Sequence, residues 1–252
     1  DIYGNTIQDE LSYAFYNGDY ATVANIAMPW NNPLIYRAHG TQEVFLEYQN
    51  INEATLAIYP ISFTEFSRFN SGNAVPAQYD PNEKPIREWK IAAGERNKLE
   101  RELFNFQDKN GASLDAGYYF IGLKVKPFKY NDNFFQAFTF IVANDNITLK
   151  ATPTEGFAWV TDLESGAPRS NVAVTFYDDK FQPLGKVNTD KNGIAHLKNI
   201  KSVNYAQIQD SSDDFGFTAL YWGSGVSAGT FNLYGNYYSS VDKLFGYLYT
   251  DR

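Results

Sequence analysis

Two histidines, one serine flanked by glycines and two runs of carboxylates are the first places to look for chemistry in this chain of 252 residues. His39 and His196 fall in different halves, and each is read as lying on a strand between apolar neighbours. A metal site needs several converging ligands with further groups orienting each imidazole, and an isolated strand histidine offers neither. There is no cysteine, so disulfides, thiolate ligands and a cysteine nucleophile are all missing from this stretch. A serine nucleophile requires a neighbouring base. The nearest imitation of the G-x-S-x-G elbow, "WGSGVS" (222–227), lacks the strand-to-helix context that the elbow needs.

The carboxylates gather in "DSSDDFG" (210–216) and in "TDKNGIA" (189–195), where Asp190 and Asn192 precede Gly193. Neither run carries the further oxygen ligands, the sixth-position glycine and the twelfth-position glutamate of a calcium loop. Asp-x-Asn-Gly between two strands instead predicts a hairpin turn whose Asn and Gly accept positive φ. The aromatic residues are more suggestive. Phe215, Phe217, Tyr221, Trp222, Phe231, Tyr234, Tyr237 and Tyr238 stand close together, and flat rings on a sandwich could stack on sugar. Strand alternation puts about half of such rings inside a core instead. "NIT" (146–148) matches a glycosylation acceptor, relevant only in a eukaryotic secretory setting. No catalytic, cofactor-binding or metal-binding residue is assigned, and no enzymatic activity or cofactor is expected.

The elements that must position these residues are strands. The chain is 44% hydrophobic and 20% charged, an ordinary globular balance, but 17% of it is aromatic, with 19 Tyr and 20 Phe. Such residues suit pleated, half-buried surfaces. A net charge of −8 disfavours nucleic acid. This stretch holds neither an 18-residue apolar run nor a charged segment leading into an apolar one, so any signal peptide is expected upstream of Asp1.

Along the chain, residues 1–31 hold only a weak capping signal, Thr6 with Asp9. Strands follow at "PLIYRAHG" (33–40), at "EVFLEYQN" (43–50) with Val44, Leu46 and Tyr48 on one face, and at "EATLAIYPI" (53–61), where Pro60 breaks the run. Residues 68–85 form a long loop, and 94–106 fit a helical turn or a strand after a bend. In "LDAGYYFIGLKVKP" (114–127), Tyr119, Ile121, Leu123 and Val125 face one way, and Lys124 and Lys126 the other. After a junction near 145, strands recur about every ten residues, at 157–162, 171–179, 183–190, 193–199, 205–210, 216–222, 230–238 and 244–250.

The second half resembles a macroglobulin-type domain of the bacterial alpha-2-macroglobulins. The resemblance rests on Val160–Asp162, the "SGAP" turn at Ser165–Pro168, the strand Val172–Asp178, the hairpin Thr189–Gly193 and "LYWGSGVSAGTFNL" (220–233). "YTDR" (249–252) is similar to the opening of a run that leads into the next such domain, so the chain is expected to stop at that seam. Upstream, "VFLEYQNINEATLAIYPIS" and "LDAGYYFIGLKV" are similar to the family's preceding domain.

The fold class expected is all-β: two tandem macroglobulin-like (fibronectin-III/Ig-like) antiparallel β-sandwiches of about seven strands each. They are expected at 32–145 and 146–252, with 1–31 an N-terminal extension or the remnant of a preceding element. The resemblance implies a scaffold segment of a large extracytoplasmic protease trap, working beside neighbouring macroglobulin domains. Target proteases are met only through the full-length parent, and any membrane link is a lipid anchor elsewhere. The family's thioester needs a cysteine, so none of its functional residues transfers to this chain. The alternative is an adhesin or carbohydrate-binding module using the aromatic cluster 215–238.

Overall fold

The computed structural model describes residues 3–4, 12–15, 17–27, 34–70, 84–127, 134–200, 202–209 and 213–222. In the first sandwich, strands β1 (Val23–Ala27), β3 (Glu43–Gln49) and β6 (Glu100–Asn105) form one sheet in the order β1-β3-β6. Facing it are β2 (Leu34–Arg37), β4 (Ile51–Ile61), β5 (Arg87–Ala92), β7 (Gly117–Pro127) and β8 (Phe134–Ala143), in the order β2-β8-β7-β4-β5. The core between them holds Leu46, Leu56, Ile58, Ile121, Leu123 and Phe140, all fully buried. Period-2 alternation delivers these side chains to one face of each strand.

The second sandwich packs β9 (Asp145–Ala151), β10 (Glu155–Asp162) and β13 (Ile194–Lys198), ordered β13-β10-β9, against a four-stranded sheet. That sheet runs β12-β11-β14-β15, from β11 (Ala173–Tyr177), β12 (Pro183–Asn188), β14 (Tyr205–Gln209) and β15 (Phe215–Ala219). Ala158, Val160, Val174, Phe176 and Ile208 fill its core. Among the described residues the sandwiches thus have eight and seven strands. The expected strands at 230–238 and 244–250, the closing "YTDR" and the Thr6/Asp9 signal lie outside the described residues.

Four local readings need correction. β2 pairs with β8 in parallel, whereas antiparallel pairing was expected throughout. All the intervening strands separate these two, so no hairpin dictates their direction. Pro60 does not break β4, which runs to Ile61. The ladder to β5 ends at Ile58, so Pro60 sits where one side of β4 needs no donor. His39 is not on a strand; it is exposed in the turn after β2 with φ of 61°. Residues 68–70 belong to a helix, α1 (Phe63–Asn70), rather than to a loop.

Helix α1 starts at a capping box. Glu65 N donates to Ser62 Oγ at 3.2 Å, and Ser62 N donates back to Glu65 Oε2 at 2.9 Å. Eight residues are too few to hold a helix in water, so packing must hold it. Phe66 and Phe69 lie on the rings of Tyr118 and Phe120, with centroids 4.4 and 6.0 Å apart. The N-terminal half of β7 is therefore buried on both faces, while Lys124 and Lys126 stay exposed where no helix covers the sheet.

Candidate functional site

The most elaborate constellation in the molecule is the seam between the sandwiches. From the first come Phe63 and Phe66 of α1, Tyr118 of β7, and Ile141 and Ala143 of β8. The second presents the outer face of its four-stranded sheet, with Tyr177, Tyr205, Phe215, Phe217 and Ala219, together with Phe181 from the turn after β11. The local cause is again alternation. Ala206 and Ile208 of β14 point into the second core, so Tyr205 and Gln207 point across the seam. Phe217 is 2% exposed, with its ring centroid 5.2 Å from Phe66, 6.0 Å from Tyr118 and 5.4 Å from Trp222. Edge-on and tilted pairs at these separations each add about 0.5–1.5 kcal/mol beyond burial.

A polar chain runs from inside the rings out to the exposed Gln209. Gln207 Nε2 donates to Tyr118 Oη at 2.8 Å and to Gln209 Oε1 at 2.7 Å, while Tyr177 Oη donates to Gln207 Oε1 at 2.6 Å. Both ends of the Gln207 amide are thus used, which is what makes a buried amide tolerable. Burial holds the Tyr118 phenol well above its ordinary pKa, with the Gln207 amide pulling modestly the other way. Backbone bonds close the join where β8 passes into β9: Asn144 N donates to Phe215 O at 3.0 Å, and Leu163 N to Asn144 O at 2.8 Å. Gly216 fits there because an added Cβ would stand 2.7 Å from the Asp145 carbonyl oxygen.

Beside the join, Arg169 gathers three carboxylates. Its Nη1 lies 3.1 Å from Asp145 Oδ1 and 3.6 Å from Asp162 Oδ2, and its Nη2 contacts Asp214. The Asp145 side chain is wholly buried. Desolvation pushes its carboxyl up to about 6, against the pull of Arg169 and with added push from Asp214 and Asp162. Asp162 is held below the usual carboxylate range by hydrogen bonds from the Ser165 hydroxyl and amide.

The residues singled out from the sequence fall as follows. Asp190 is a turn residue: its Oδ1 accepts Asn192 N at 2.8 Å and Ile194 N at 2.9 Å, and Gly193 takes φ of 78°. The turns at Asp108 and Asp178 repeat that geometry. His196 stacks on Phe157 with centroids 4.0 Å apart, and its Nε2 lies 3.2 Å from Glu155. It belongs to the second sandwich, whereas His39 belongs to the first. Among the described residues no three His, Asp or Glu side chains converge as metal ligands. Of the aromatic cluster, Phe215 and Phe217 are buried in the seam and unavailable to sugar, Trp222 packs against Phe217, and Tyr221 is exposed. Phe231, Tyr234, Tyr237, Tyr238, residues 210–212 and "GSGVS" lie outside the described residues. Sequence reasoning passed over α1, Tyr118, Gln207 and Arg169. Only the Ser62–Glu65 spacing could have signalled the helix.

The chain's second half agrees with a known family: residues 142–238 match the profile described as "Bacterial alpha-2-macroglobulin MG3 domain". The second sandwich is thus similar to a bacterial alpha-2-macroglobulin domain. Among solved structures, native Escherichia coli alpha-2-macroglobulin spanning domains NIE-MG1 superposes with a TM-score of 0.56 at 14% identity, over 81% of this chain and 99% of that one. The longer MG0-NIE-MG1 segment gives 0.58 at 15%, over 80% of this chain, which spans only 65% of that segment. Salmonella alpha-2-macroglobulin reacted with methylamine gives 0.56 at 16%, with 81% of this chain covering 12% of that one. At such identities these likenesses establish the fold: two macroglobulin-like sandwiches in tandem. No curated protein sequence is matched. No helix among the described residues is long and apolar enough to cross a membrane.

Proposed function

We propose that this chain is a structural scaffold segment of a bacterial alpha-2-macroglobulin-like protease-trapping inhibitor, non-catalytic by itself. The observation that carries the proposal is the seam. A macroglobulin shell works by transmitting movement between stiff modules, and an aromatic interface with hydrogen bonds through Gln207 inside it makes two sandwiches move as one. The proposed division is 32–145 and 146–252, with 1–31 an N-terminal extension or the remnant of a preceding element, whose Val23–Ala27 stretch pairs onto β3 and so joins the first sandwich's sheet. In this reading neighbouring macroglobulin domains of a longer parent are its partners, proteases are met only through that parent, and its place is extracytoplasmic.

The test is incubation of the chain with trypsin, chymotrypsin and elastase at equimolar and tenfold excess, followed by residual activity on a protein substrate. Unchanged protease activity is expected. Substantial inhibition at equimolar chain would show trapping or blocking by this segment itself and overturn the scaffold assignment.

A further inference from the structure

We propose that the outer face of the β13-β10-β9 sheet binds an anionic polysaccharide, a role separate from the scaffold reading. Of the rings that the sequence offered for stacking on sugar, the seam buries Phe215 and Phe217, but β10 carries a further pair that stays outside. Ala158 and Val160 fill the second core, so Phe157 and Trp159 point outward; Trp159 is 48% exposed and Phe157 half-buried. Two residues apart on one strand, they sit about 7 Å from each other along the sheet.

Both rings are fixed before any ligand arrives. Trp159 Nε1 donates to Asn192 O at 3.2 Å, which pins the indole beside the hairpin tip. Phe157 is clamped face to face on His196, itself held by Glu155 at 3.2 Å. Rigid aromatic anchors lose little conformational entropy on binding, which favours a flat, repeating ligand such as a chain of sugar rings. Thr148 stands across from Trp159 on β9 and adds an exposed hydroxyl.

Charge chooses the ligand class. Lys150 lies directly across from Phe157, Lys198 across from Glu155, and Lys191 precedes the carbonyl that holds Trp159. All three are exposed, and none makes an ion pair among the described residues. Against these three stand two carboxylates: Glu155, which faces His196, and Asp190, which accepts two backbone amides and keeps its charge next to Lys191. On a chain of net charge −8 this face holds three lysines against two carboxylates, a local excess of positive charge beside the two rings that favours a polyanion. A neutral glycan would leave the lysines unused, and an acidic peptide would not need two flat, immobilised rings.

The full chain is run in native gels containing polygalacturonate, dextran or poly-L-glutamate at about 0.1 M salt, where exposed charges still act over ~10 Å. Polygalacturonate alone is expected to retard it. Trp159→Ala is expected to weaken that retardation about tenfold, in line with loss of an aromatic anchor. Lys150→Glu, which leaves both rings in place, is expected to weaken it similarly and to blunt its salt dependence, with an unchanged circular dichroism spectrum. No retardation, equal retardation by poly-L-glutamate or by dextran, or an unaffected Trp159→Ala variant would each overturn the proposal.

Discussion

Replacing Phe217 by alanine tests whether the seam joins the sandwiches energetically. Phe217 lies outside the second core, on the seam face of β15, yet is only 2% exposed and touches rings from both sandwiches. Phe→Ala at such a site costs roughly 3–5 kcal/mol, transfer and cavity terms together. With a urea slope of ~2 kcal/mol/M, that moves a midpoint by about 2 M. Because the loss falls on the join, its signature is separation of the two sandwiches rather than uniform weakening. Trp89 packs on the first core and Trp159 lies on the second sandwich, so variants keeping one or the other as a fluorescent probe report each side. In the parent protein both probes are expected to change in one transition; in Phe217→Ala the two transitions should part. Phe176→Ala, wholly inside the second core, is the control: a comparable cost, borne by the second sandwich with the seam rings intact. If Phe217→Ala shifts the midpoint by less than ~0.5 M, or if the probes still coincide after a large shift, the seam does not couple the modules in the way argued.

Two further outcomes are expected. Asp145 has a folded pKa of about 6 against 3.8, so the folded chain holds its proton more tightly than the unfolded chain; its contribution to stability is greatest below about pH 4, declines as pH rises through 6 and is level above. Asp145→Asn should flatten that window in pH-dependent urea melts, while Arg169→Met should extend it to higher pH and cost about 3–5 kcal/mol near pH 8, where the carboxylate is left buried without its cation. Gly193→Ala should destabilise by at least ~1–3 kcal/mol, because it adds a Cβ 2.5 Å from the Val160 carbonyl oxygen at φ of 78°; Gly166→Ala, with similar φ and open space, should cost clearly less in thermal melts.

Much of this protein was legible without coordinates because its strands write their burial into alternating residues. Val44, Leu46, Leu56, Ile58, Ile121 and Leu123 all occupy the core faces that period-2 spacing assigns. The Asp190–Gly193 turn was equally plain, since an aspartate oxygen, two following amides and a left-handed glycine are contiguous. Local spacing also misled: Pro60 looked like a stop only because nothing nearby says that β5 has already ended.

The sequence by itself determined the β architecture, the two-module rhythm and the hairpin chemistry, because each depends on residues within about ten positions of one another. Only the tertiary structure decided which apolar faces meet. Phe215, Phe217, Phe157 and Trp159 obey the same alternation, yet the first pair lies beneath Tyr118 and Phe66 of the other sandwich, and of the second Trp159 stays exposed to water and Phe157 is half-buried. Alternation tells a ring which side of its own strand it takes. What waits on that side comes from residues some hundred positions away, and no local spacing encodes it.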